Sequence, residues 1–144
     1  MAIRAVAVHE LDEVMLEAIE ALWPHNQTAI GRIRARAYDV ALIVEGYQDT
    51  MVAACLLTHC GTHVYLECMA VTPAWRRRGW CRALCAEAQK VCDTVVLDVS
   101  KSQLDVVLPV FEKCGFGAVM DVSQYDAGRP LDAANYVRVV QKKE

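Results

Sequence analysis

Residues 66–84 read LECMAVTPAWRRRGWCRAL. The apolar opening is a strand, Thr72-Pro73 breaks the pattern, and from Cys81 the apolar spacing turns helical. A strand therefore feeds a loop of Arg76, Arg77, Arg78 and Gly79, and the loop opens a helix that carries Arg82. A helix N-terminus leaves about four backbone N–H groups unpaired and carries roughly half a positive charge. With the arginines added, the place suits an anion, most simply a phosphate group. Gly79 would let the backbone come close to that anion. Neither the GxxxxGK[ST] loop nor the GxGxxG fingerprint is present. A solvated basic loop and a nucleic-acid patch are the competing readings of the same arginines.

The elements that must hold this loop can be read from periodicity. Residues 3–8 alternate as a short strand, and Leu11, Val14, Met15, Ala18, Ile19 and Leu22 mark an amphipathic helix ended by Trp23-Pro24. A second helix covers 28–38, with Arg32, Arg34 and Arg36 expected on a solvated face. Residues 40–44, 51–60 and 63–71 form an antiparallel meander joined by turns at 46–49 and 61–62. A helix from Cys81, a strand over 95–99 and a helix over 104–114 follow; Gly115 caps the latter and Pro109 lies inside it. Two more strands, 117–122 and 136–140, flank a polar loop over 123–135. The order is β-α-α-β-β-β-α-β-α-β-β, an α/β chain with a mixed sheet, because the unit 63–99 needs a parallel crossover.

Composition narrows the function classes. The chain has 144 residues, 55% hydrophobic and 23% charged, which fits one domain, 1–144, and excludes a disordered or collagen-like protein. Fifteen Lys+Arg against 18 Asp+Glu give a net charge of −3, so no nucleic acid partner is expected from bulk charge. Seven cysteines, an odd count without CxxC spacing, read as a reduced intracellular protein. Cys81, Cys85 and Cys92 share a helix face and are expected as core, while His59, Cys60 and His63 are expected as surface residues of a hairpin. No metal is therefore expected. There is no signal-peptide pattern and no membrane span, so the expected location is cytoplasmic.

Residues 71–84 resemble motif A of the GNAT superfamily of acyl-CoA-dependent N-acyltransferases. Its pattern, (Q/R)xxGx(G/A), is met by Arg76 to Gly79 and Trp80, with Cys81 at the final Gly/Ala position. Leu97-Asp98-Val99 followed by Phe111-Glu112-Lys113-Cys114-Gly115-Phe116 resembles the family's LEV…YEKxGF segment. Residues 136–140 resemble its closing strand, and the element order extends the likeness from Ile3 to Val140.

The resemblance implies a GNAT fold whose fourth and fifth strands splay apart around acetyl-CoA, the co-substrate. The pantetheine arm would pair with the backbone of Cys68, Met69, Ala70 and Val71. The pyrophosphate would sit on the loop, with Arg76 and the N–H groups of Arg77, Arg78, Gly79, Trp80, Cys81 and Arg82. An amine acceptor, a small molecule or a peptide, would attack the thioester directly, from a cleft built by the arginine-bearing second helix and the loop over 123–135. Glu67 is the first candidate base; strand alternation would put it on the face of Val71. Asp98 is the second. Phe111 stands where many members carry the Tyr that protonates the leaving thiolate; Tyr65, Tyr125 or Tyr136 could replace it. Phe111 and Cys81 keep open an alternative, a non-catalytic acyl-CoA-binding or interaction module. No membrane partner is implied, and a homodimer is left open.

Overall fold

Both faces of the chain's central strands are apolar, and the reason is a sheet covered on both sides. The computed structural model describes residues 2–127 and 129–142. Its six strands are β1 (Ile3–Ala7), β2 (Val40–Glu45), β3 (Met51–His59), β4 (Val64–Val71), β5 (Thr94–Ser100) and β6 (Tyr136–Lys142), paired in that order. Only β4 and β5 run parallel. Ala41 and Ile43 of β2 pack with Ile19 of helix α1 (Glu13–Glu20) and Ile33 of α2 (Gln27–Arg34). Leu42 and Val44 pack with Leu84, Cys85 and Ala88 of α3 (Trp80–Val91). Helix α4 (Leu104–Glu112) adds Leu104, Val107, Leu108 and Phe111 to that second cluster. Burial on both faces makes residues 40–44 a continuous apolar run instead of an alternating one.

Caps set the helix starts, α2 one residue before the expected 28. The Asp12 carboxylate accepts from Met15 N at 2.9 Å and starts α1; Asn26 does the same for α2 from Ala29 N at 3.0 Å. Arg36, in the left-handed region at φ 53°, ends the second helix before residue 38.

The strand expected over 117–122 does not form. Gly117 makes one isolated bridge to Val140. Asp121 then accepts from Ser123 N at 3.0 Å, a local turn that competes with extension and leads into a single 3-10 turn, Val122–Tyr125.

Two irregularities shape the site. Pairing between β4 and β5 stops after Val64–Val95 and Tyr65–Val96, so the strands splay as the fold class requires. On the other side of β4, Leu57 pairs with Leu66 but Leu56 pairs with Cys68, which leaves Glu67 as the extra residue of a bulge. Alternation breaks there. Glu67 and Cys68 both turn toward α2 and Tyr38, while Val71 packs with the α3 cluster. The expectation that Glu67 shares the face of Val71 is therefore corrected. Among the described residues, no helix is long and apolar enough to cross a membrane.

Candidate active site

Three cavities follow one another along the gap between β4 and β5. The first, about 550 Å³, lies between the end of β4 and the start of α3 and includes Met69, Gly79 and Phe111. The second, about 310 Å³, shares Met69 and Phe111 with it and adds Glu67, Asp98 and Tyr136. The third, about 400 Å³, shares those last three and reaches Arg32 and Arg129.

The loop of the first cavity is shaped by its backbone. A 3-10 turn, Pro73–Trp75, follows β4, and Arg76 Nε donates back to Val71 O at 3.0 Å. Arg77 and Gly79 both take positive φ, 63° and 83°, the second at no steric cost. The helix ladder begins with Ala83 N donating to Gly79 O at 3.0 Å. Among the described residues, the N–H groups from Arg77 to Arg82 find no protein acceptor. A Cβ built on Gly79 would meet nothing within 4 Å, so the approach to this backbone is open. The side chains brace the loop: Arg78 lies over the Trp75 ring at 4.7 Å and Arg82 donates to Lys113 O at 3.0 Å. The donors left over are backbone amides at a helix start, a cradle for phosphate.

The third cavity is built from charged side chains. The Glu67 side chain is only 4% exposed, accepts from Arg32 Nη2 at 3.1 Å and also meets Arg129. Thr58 Oγ1 donates to it at 3.4 Å. Arg32 Nε donates to the Tyr38 hydroxyl at 3.2 Å, and burial pushes that hydroxyl up to about 12. Asp98 is held in a fork by Arg138, Nε to Oδ1 at 2.8 Å and Nη2 to Oδ2 at 2.9 Å. Arg138 is 2% exposed and spends its remaining donors on Tyr125 O, Asp126 Oδ1 and Arg129 O. Those bonds pin the loop that carries Arg129. Tyr65, in the same cavity, has its hydroxyl driven above its ordinary range by burial and by Asp98.

The sequence model of the acetyltransferase (GNAT) family matches residues 7–116. The chain belongs to that family. Its fold is similar to Tetrahymena GCN5, TM-score 0.74 at 12% identity, covering 100% of this chain and 97% of that one. It is also similar to the PaiA N-acetyltransferase of Thermoplasma acidophilum in complex with coenzyme A, TM-score 0.63 at 16% identity, covering 99% of each chain. Nourseothricin acetyltransferase is matched over 73% of this chain and 65% of its own, TM-score 0.55 at 16% identity. Among curated proteins, no sequence match is found.

On this GNAT framework most of the expected acyl-CoA residues converge. Met69, Ala70 and Val71 of β4, Arg76, Arg77, Gly79, Trp80 and Cys81, and Phe111 of α4 wall the first cavity. Cys68, Arg78 and Arg82 do not: the Cys68 thiol lies 3.5 Å from the Tyr38 hydroxyl, and the two arginines are engaged as described. Glu67 and Asp98 stand together at the second and third cavities.

The three arginines of α2 and its end stay half-exposed or exposed, as expected of a solvated face, and each is also engaged by the protein. Arg32 reaches Glu67, Arg34 is paired with Glu13 and Glu20, and Arg36 donates to Val8 O and Leu11 O. His63, expected on the surface, is 1% exposed and packs edge-on against Tyr125 at 5.3 Å. Cys92, just past the end of α3 at Val91, still packs against the cluster of Leu84, Cys85 and Ala88, as expected, and its thiol donates to Thr62 O. Arg129 is reached only as part of the loop over 123–135, and Arg138 is missed altogether. A signal existed for the second: a lone charge inside the apolar run YVRVV must find a buried partner.

Proposed function

We propose that this GNAT chain transfers an acetyl group from acetyl-CoA to a primary amine by direct attack. The observation that carries the reading is the continuity of the three cavities, from an amide-lined loop to a buried carboxylate. The pyrophosphate suits the free N–H groups of Arg77 to Arg82. The pantetheine arm suits the edge of β4 that loses β5 after Tyr65, as an added strand. A backbone N–H near Met69 on that edge polarises the thioester carbonyl.

The amine enters from the third cavity. An ammonium near pKa 10 must lose its proton before it attacks, and Glu67 is the acceptor, directly or through one water. The two guanidinium groups on Glu67 hold its carboxylate in place. Glu67 passes that first proton to solvent; attack then forms the C–N bond and breaks the C–S bond, and the second proton lost by nitrogen goes to Glu67. Phe111 cannot protonate the departing thiolate. Tyr136 is the tyrosine that shares the second cavity with Phe111, and it takes that role. Asp98, held in a fork by Arg138, is the second candidate base, to which the role passes if Glu67→Gln leaves turnover unchanged. Seven free cysteines support a reducing compartment.

Thiol release from acetyl-CoA in the presence of a panel of amines tests the reading. Amine-dependent release is expected. Tight binding of acetyl-CoA without release against any amine would favour the binding module.

A further inference from the structure

Acyl transfer leaves three thiols unused, and they meet one another. Cys81 and Cys85 stand one turn apart on α3, the i, i+4 spacing that faces side chains the same way. Cys114 follows α4 and closes the group from the other helix. All three sulfur atoms lie within 4.8 Å of one another, and Cys81 Sγ to Cys114 Sγ is 4.0 Å. The chain's other cysteines are placed differently. Cys55 is buried among apolar neighbours, Cys68 is spent on Tyr38, and Cys60 and Cys92 each face a carbonyl oxygen outside any thiol group; Cys114 also donates to Val110 O at 3.4 Å, but from within the group.

We propose that Cys81, Cys85 and Cys114 form a three-thiolate binding site for a soft, thiophilic metal cation.

The dimensions fit such an ion. A metal–thiolate bond is about 2.3 Å, so three sulfurs around one ion in a flat triangle stand about 4.0 Å apart. The group contains no nitrogen or oxygen ligand, a donor set that selects soft ions over magnesium or calcium. Arg82, which anchors to Lys113 O beside Cys114, brings a positive charge next to thiolates that must form when the ion displaces their protons. The site is reachable, because Cys81 also walls the first cavity. An ion there would tie the first turn of α3 to the end of α4.

Cadmium(II) is the probe, read by its thiolate-to-metal charge-transfer absorption during titration of the reduced full chain without acetyl-CoA. The outcome is then independent of the proposed transfer reaction. One ion per chain is expected, with a rise in thermal midpoint because the ion binds only the folded form. Cys81→Ser and Cys114→Ser, both at half-buried positions, should each weaken binding at least about tenfold, while Cys92→Ser should bind as the parent does. Copper(I), delivered from a competing chelator, should fill the same site with the same stoichiometry. Absence of a stoichiometric site for either ion, or parental affinity in Cys81→Ser or Cys114→Ser, would overturn the proposal.

Discussion

The two ends of the β4–β5 gap are built from different materials. The proposed acyl-CoA end is made of backbone: unpaired N–H groups, a left-handed Gly79 and a strand edge without a partner among the described residues. The proposed acceptor end is made of side chains from distant parts of the chain. Arg32 comes from α2, Glu67 from a bulge in β4, Arg129 from a loop and Arg138 from β6. Backbone sites tolerate many side chains, so the first end can stay constant while the second is rebuilt for a different amine. Damage to one end should therefore leave the other intact.

Arg138 gives the strongest way to break that division. Arg138→Met would leave Asp98, 11% exposed at its side chain, as an uncompensated charge, and would release the loop that carries Arg129. A loss of about 3–5 kcal/mol is expected, read from urea unfolding midpoints. Pairing it with Asp98→Asn should recover part of that loss, since the stranded charge is gone. Acetyl-CoA affinity of the folded fraction should not change.

A smaller effect is expected from Tyr136→Phe. If Tyr136 protonates the thiolate, turnover should fall about tenfold, more steeply below the thiol pKa near 8.5 than above it. Equal loss across that range would assign Tyr136 to packing.

The smallest effect concerns His63, beneath Tyr125 and near Arg138. Burial and the Arg138 charge lower its pKa below the 6.5 of an exposed imidazole. Below pH about 6.5 the unfolded chain then binds a proton that the folded chain refuses, so stability falls as pH drops through that window. The slope is at most about 1.4 kcal/mol per pH unit for one proton. His63→Phe keeps an aromatic edge against Tyr125 and should flatten the acid limb of a stability–pH curve. Parallel curves for the two proteins would assign the acid sensitivity to other groups.

The same contrast explains what the sequence made legible. The loop 76–82 was readable because its chemistry is local: a strand, a break, a glycine and a helix start, all within a few residues. The splay of β4 and β5 was implied by the family resemblance, and the ladder that stops after Tyr65–Val96 agrees with it. Glu67 was found, but its facing was misjudged, because a bulge adds one residue that strict alternation cannot foresee. Residues 117–122 looked like a strand, and a single carboxylate at Asp121 was enough to turn the chain away. Arg32 and Arg129 carry no local mark at all; their partner lies 35 residues from the first. The cysteine group was half legible: the i, i+4 pair on α3 is written in the sequence, and Cys114 is brought to it only by packing of α4.

The most direct measurement takes acetyl-CoA affinity by calorimetry and amine-dependent turnover together, for the parent, Gly79→Val and Glu67→Gln. Gly79→Val forces a branched side chain into a left-handed position in front of the free N–H groups. Its acetyl-CoA affinity should fall at least about tenfold, in line with the 1–2 kcal/mol that this conformation costs before any clash with ligand. Glu67→Gln should bind acetyl-CoA as the parent does and turn over about 10²-fold more slowly. Separate losses of this kind are what a backbone-built cofactor end and a side-chain-built acceptor end require. A Gly79→Val chain that binds normally, or a Glu67→Gln chain that turns over normally, would contradict the account.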